Sequence, residues 1–220
     1  MWYYNDADKI SRKKRKKEKK MTIRQQQAMN KLKAYNDYAN SIEVHTKAKE
    51  GSHIHSGAHG VSFEMAVKIE LGNYRFVSNA SKMGHRDTIK KLNGDWVSFE
   101  IKQGSGELAT IDENGDIKRS VFSADYVIYA PDYRPNDDVR KMAYILTGEN
   151  FAKAVEVAGM ARFKKSTAMT RWEKANDEEG YYDRITLQSF TNSHKKLNAW
   201  YEALEDFGET FGKWLEKQDF

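Results

Sequence analysis

The sequence predicts a mixed α/β domain with helical additions. Three observations carry this. Apolar residues recur at helical spacing over residues 22–43. Strand-like segments follow, two of them joined by Asn93-Gly94, and the run VFSADYVIYA (121–130) is the most strand-like of all. The C-terminal region then returns to a helical period, with Leu197, Trp200, Tyr201, Leu204, Phe207, Phe211, Trp214 and Leu215 on one wide apolar stripe. Helix, strands, then helices is the order of a mixed α/β fold.

Taken along the chain, residues 1–20 read as a disordered basic arm and 21–50 as an N-terminal helix, with Ala28, Leu32, Tyr35, Ala39 and Ile42 forming its apolar face. The segment KAKEGSHIHSGAHG (47–60) reads as a polar loop and a domain boundary. Ser62 is placed to cap a short helix, VSFEMAVKIELG, which Gly72 would end. Strands are expected at Tyr74 to Val77, Arg86 to Leu92, Asp95 to Gln103 and Val121 to Ala130, so that 51–135 forms the core. The glycines of GSG (104–106) let the chain leave its strand. Pro131 and Pro135 bracket a turn, after which 136–220 reads as a helical completion of the core and flank, with helices over about 137–160 and from Ser193 onward.

Composition narrows the class. At 220 residues with 39% apolar and 12% aromatic side chains, the chain can bury one good core. Its 31% charge and mean hydropathy of -0.85 give it a large polar surface. No apolar run approaches the roughly 20 residues a membrane span needs, and the N-terminus lacks the apolar region of a secretory signal. A soluble, cytoplasmic protein of a bacterium or a phage-infected host is the expectation, with no membrane partner. Without cysteine, disulfides, thiol chemistry and Cys-ligated zinc are excluded. The charge is uneven: RKKRKKEKK (12–20) carries a net +7, so the net +5 of the chain leaves -2 on the other 211 residues. A run of this kind repels itself and commonly binds polyanions, nucleic acid first among them, with a targeting signal or a solubilising tail as the other readings.

The hairpin carries the chemistry. An Asn-Gly loop of two residues sets Leu92 opposite Asp95. Counting outward, Ile89 faces Ser98, Asp87 faces Glu100 and His85 faces Lys102. Alternation turns Ser98, Glu100 and Lys102 to one face and Val97, Phe99 and Ile101 to the other. Two carboxylates opposite each other, about 5 Å apart, would repel by roughly 3 kcal/mol at an effective dielectric of about 20. A divalent cation between them turns that repulsion into coordination, and Mg²⁺ is held by one or two carboxylates with waters and phosphate. With Lys102 as a nearby positive charge, the arrangement suits metal-assisted phosphodiester hydrolysis.

These residues resemble the PD-(D/E)XK nuclease superfamily: Asp87 on one strand, Glu100-Ile101-Lys102 on the next, and Glu64 on a preceding helix. The resemblance covers roughly 58–130. It implies a restriction-endonuclease-like three-layer α/β/α core with a mixed sheet, here with an N-terminal helix and a C-terminal helical flank. It implies Asp87 and Glu100 as metal ligands with Glu64 reaching the metal, Lys102 orienting the attacking water, and Mg²⁺ or Mn²⁺ as cofactor. Gln103 after the lysine matches nucleases that carry glutamine there. Arg86, where the motif has proline, is a departure. The expected function is a Mg²⁺-dependent DNA nuclease of a phage, plasmid or bacterial type, working alone or as a homodimer, with RNA left open as a substrate. The alternative is a non-catalytic nucleic-acid-binding accessory protein on a degenerate nuclease fold. Arg12, Lys13, Lys14, Arg15, Lys16 and Lys17 of the arm, with His85 and Gln103, are the expected nucleic-acid contacts.

Other features weigh less. His53, His55 and His59 could form a zinc-type donor set, yet flanking Gly and Ser and the lack of a carboxylate partner favour ordinary loop histidines or a phosphate-contacting loop. Lys68 stands four residues after Glu64, so a surface ion pair also accounts for Glu64. Glu107 and Asp125 are acidic neighbours that would substitute under a different register. Arg162, Lys164, Lys165, Lys195 and Lys196 read as backbone contacts or solvated helix residues.

Overall fold

The computed structural model describes residues 21–46, 53–73, 86–112, 116–165, 182–188 and 194–218. The expected arm (1–20), the strand at Tyr74 to Val77 and His85 lie outside them. Two helices open the chain, α1 (Ile23–Thr46) and α2 (His53–Glu70). Helix α2 starts earlier than the loop expected over 47–60 allows. Ser62 is therefore no cap: it is buried inside α2 and donates to Asn36 of α1, whose amide reaches Asn136 at 3.0 Å. The far end of α2 does stop where glycine permits. Gly72 adopts φ 70°, and the Asn73 amide bonds back to the Lys68 carbonyl at 2.8 Å.

Strands β1 (Thr88–Leu92) and β2 (Asp95–Gln103) form the expected hairpin. Asn93 and Gly94 both take positive φ, 51° and 100°, as the tightest hairpin turn demands. Leu92 faces Asp95 and Ile89 faces Ser98, in the register the turn predicts. After β2 the chain leaves the sheet through Gly104 (φ 57°) and enters β3 (Glu107–Ile111) and β4 (Ile117–Ser120). A single 3₁₀ turn (Val121–Ser123) precedes β5 (Tyr126–Ala130), so the run from 121 is not one strand. The Ser120 hydroxyl accepts from the Phe122 amide and fixes that turn.

The rest of the chain departs from the expected helical completion of 136–220. Helix α3 (Val139–Met142) is one turn, followed by strand β6 (Tyr144–Thr147) and helix α4 (Gly148–Val157). Strands β7 (Ala161–Lys165) and β8 (Tyr182–Leu187) come next, then α5 (His194–Phe207), β9 (Glu209–Thr210) and α6 (Phe211–Glu216). Arg162, Lys164 and Lys165 thus lie on a strand, not a helix. The long C-terminal helix breaks at Gly208, where a Cβ would stand 2.5 Å from Leu146 Cγ.

Among the described residues the fold is mixed α/β, with a mixed five-stranded sheet in the order β1-β2-β5-β6-β9 and a four-stranded sheet in the order β4-β3-β8-β7. In the first sheet β2 and β5 run parallel and the other neighbours antiparallel. Because β6 and β9 belong to it, the core extends well past residue 135. Alternation along the strands builds two apolar layers. Phe99, Ile101, Ile128 and Ile145 pack under α2, α3 and α6 with Phe63, Val67 and Trp214. Val127, Tyr129 and Leu146 pack on the opposite face with Phe151 of α4, Trp200 and Leu204 of α5, and Leu108 and Leu187 of the second sheet.

The contact between α4 and the 3₁₀ turn is close enough to test. A Cβ on Gly148 would lie 2.2 Å from the Phe122 carbonyl oxygen and 2.4 Å from that of Ala124. Backbone cannot yield as a side-chain tip does. Gly148→Ala is expected to lower stability by about 1–3 kcal/mol, read as a fall in the urea midpoint; an unchanged midpoint would contradict the packing.

Candidate functional site

Glu100 sits on the central part of β2, on the face that looks toward the second sheet. Its neighbours on β5 are Val127 directly opposite and Tyr129 two residues on, opposite Lys102. The side chain is fully buried, at 0% exposure. A carboxylate there needs compensation, and three cations supply it. Lys102 Nζ lies 2.9 Å from Glu100 Oε1 and Arg119 Nη2, from β4, lies 3.0 Å from the same oxygen. Arg86 Nη1 stands 3.9 Å from Oε2 while donating to the Ser120 carbonyl at 3.0 Å.

Asp87 enters from the residue before β1. Its Oδ2 accepts the Ile101 amide at 2.7 Å and lies 3.9 Å from Lys102 Nζ. The structure thus brings Asp87, Glu100 and Lys102 together, with one ammonium group between two carboxylates. The naked repulsion expected from the sequence is absent, because Lys102, Arg119 and Arg86 offset it. Arg86, which looked like a departure from a motif, is one of the charges that make a buried Glu100 tenable. Arg119 carries no spacing signal that links it to Glu100, since a second sheet delivers it.

Beside this cluster is a cavity of about 20 Å³ lined by Glu100, Lys102, Glu107, Leu108, Ala109, Arg119 and Val121. That is room for one water-sized body. Glu100 Oε2 is buried without a hydrogen bond, and an oxygen in that state costs about 1–3 kcal/mol or more. The carboxylates lining this space are Glu100 and Glu107, with Asp87 outside the lining. Asp87 and Glu100, the latter with one unsatisfied oxygen, offer the donor type and number a Mg²⁺ or Mn²⁺ ion takes from protein.

The remaining expected residues fall elsewhere. Glu64 pairs with Lys68 one turn along α2, and α2 packs on the sheet face bearing Phe99 and Ile101, opposite to Glu100. It does not join Asp87 and Glu100, and among the described residues no group of three or more His or acidic side chains converges to hold a metal. Gln103 points to the α2 face as well, and its amide nitrogen donates to the Tyr133 carbonyl at 2.5 Å. Asp125 binds the Ser98 hydroxyl and amide, both at 2.7 Å, and these bonds hold its carboxyl below its ordinary range. It belongs to the turn before β5, not to the cluster. Arg12, Lys13, Lys14, Arg15, Lys16, Lys17 and His85 lie outside the described residues, and of His53, His55 and His59 only the helical backbone is described.

The site and fold define a class of arrangement, an Asp/Glu-x-Lys cluster on a mixed sheet with Glu100 fully buried and Asp87 and Lys102 partly exposed. No protein-family model, curated protein or solved structure matches the chain. Among the described residues no helix is long and apolar enough to cross a membrane.

Proposed function

We propose that the protein is a Mg²⁺- or Mn²⁺-dependent nuclease acting on DNA, with a restriction-endonuclease-like core of the PD-(D/E)XK type. The observation that carries this reading is the meeting of Asp87, Glu100 and Lys102 across one hairpin, with Lys102 Nζ within 4 Å of both carboxylates. Asp87 and Glu100 would hold the cation. When bound, it would supply Lewis acidity and make water a usable nucleophile at neutral pH. Lys102 is placed to orient that water and to meet negative charge developing on the phosphate. In the overall reaction the water oxygen bonds to phosphorus, one P–O ester bond breaks, and the departing oxygen takes up a proton. Arg119, partly exposed, pairs with Glu100 and holds it in place. Incubating the protein with linear, circular, branched and single-stranded DNA in millimolar Mg²⁺ or Mn²⁺, against chelator, tests the reading.

One observation favours a second reading. A carboxylate that is fully buried and flanked by three cations is also what a purely structural ion cluster presents. The protein would then be a non-catalytic nucleic-acid-binding accessory protein, recognised by salt-dependent DNA binding without cleavage in any metal.

Both readings use the basic segment at 12–20. Deleting residues 1–20 is expected to weaken binding to DNA of any sequence and to flatten its salt dependence. Each phosphate neutralised contributes about -0.9 to the slope of log K against log salt. Titrations at several salt concentrations check this; an unchanged slope would assign the segment another role.

A further inference from the structure

The face of β2 that carries Glu100 and Lys102 also carries Trp96, four residues toward the hairpin turn. Trp96 is 70% exposed, the most exposed aromatic side chain among the described residues. The core does not need it: Trp200 and Trp214 are the tryptophans buried there. Its cross-strand partner is Lys91, which is exposed, and diagonally across lies Ile89, 40% exposed. Strand β5 reaches only as far as Phe99, so the hairpin beyond it is two strands wide and this face of it stays open. Ser98, between Trp96 and Glu100, is held by Asp125 and makes a continuous floor.

An exposed indole beside an exposed lysine, on the same strand face as Glu100 and Lys102, suits a nucleotide. A nucleobase offers a flat π-face to the indole, and the adjoining phosphate offers a negative charge to Lys91. We infer that Trp96 is a stacking platform for an unpaired base, and that the substrate is single-stranded DNA. The inference rests on the nuclease reading for the direction in which the strand runs. In a duplex both faces of each base are covered by stacking, and exposing one costs a few kcal/mol; a single strand offers its bases freely. Four residues of strand span about 13 Å, and a stacked strand rises about 3.4 Å per nucleotide. The stacked base therefore lies up to about four nucleotides from the scissile phosphate.

The test is binding, measured in chelator so that no cleavage intervenes, by fluorescence anisotropy of a labelled 12-nucleotide oligo(dT) and of a blunt duplex of equal length. Trp96→Ala is expected to weaken oligo(dT) binding by about ten-fold or more, Trp96→Phe to retain most of it, and both to bind the blunt duplex as wild type does. The exposed position makes misfolding a poor explanation, and circular dichroism of each variant checks that. Equal affinity of wild type and Trp96→Ala for oligo(dT), or an equal loss on the blunt duplex, would overturn the inference. A wild-type protein that shows the Trp96 effect yet cleaves nothing in any metal would overturn the nuclease reading and leave this one standing.

Discussion

Glu100→Ala is expected to abolish cleavage and to destabilise the fold by about 3–5 kcal/mol, the usual cost of removing one partner from a buried charge cluster. The loss arises from what remains. Lys102, Arg119 and Arg86 would lose the carboxylate they share, leaving Asp87 beside Lys102 alone. Arg86 cannot swing away without giving up its bonds to the Ser120 carbonyl and the Ser123 hydroxyl. Glu100→Gln keeps the volume and one acceptor, so it is expected to lose less stability but as much activity. Chemical denaturation gives the stability difference and a DNA cleavage assay gives the activity. A folded Glu100→Gln that cleaves at the wild-type rate would remove Glu100 from the chemistry and leave it as a structural ion.

Lys102→Ala and Asp87→Ala are expected to lower kcat by about 10²–10³-fold or more while DNA affinity in chelator stays at the wild-type level. The split between rate and binding is what separates a catalytic part from a structural one. Lys102 is partly exposed, and Glu100 keeps Arg119 when Lys102 is truncated, so the fold survives the change. Asp87→Ala also removes the acceptor for the Ile101 amide and costs some stability. Asp87→Asn retains an acceptor there and separates the two effects: stability near wild type, activity lost. Glu64→Ala is expected to cleave normally, because Glu64 pairs with Lys68 on the other face of the sheet.

The hairpin was legible in the sequence because Asn93-Gly94 is a local signal strong enough to set the register of ten residues. From it followed the face shared by Glu100 and Lys102 and the approach of Asp87. What surrounds them was not legible. Strands β3, β4, β7 and β8 are short, and β4 (IKRS) and β7 (ARFKK) are charge-rich, so that sequence alone does not distinguish them from loop or helix. The pairing of β3 with β8 is non-local, and Arg119 meets Glu100 through the placement of this second sheet against β2. The helical period over 137–160 failed for a related reason. Ala143 to Leu146 is a four-residue apolar run that suits a helix or a buried strand, and pairing with β5 decided it. Glu64 misled because its position on a helix was right but its face was not. Burial of Phe63, Ala66 and Val67 against Phe99 and Ile101 fixed how α2 rolls on the sheet.

The most direct test of the central claim is the rate at which purified wild type and Lys102→Ala degrade the same labelled single-stranded DNA in millimolar Mg²⁺. Wild type is expected to cleave in a way that chelator stops and Mn²⁺ restores, and the variant to be slower by about 10²–10³-fold. Cleavage that persists in chelator, or a Lys102→Ala protein as fast as wild type, would contradict it.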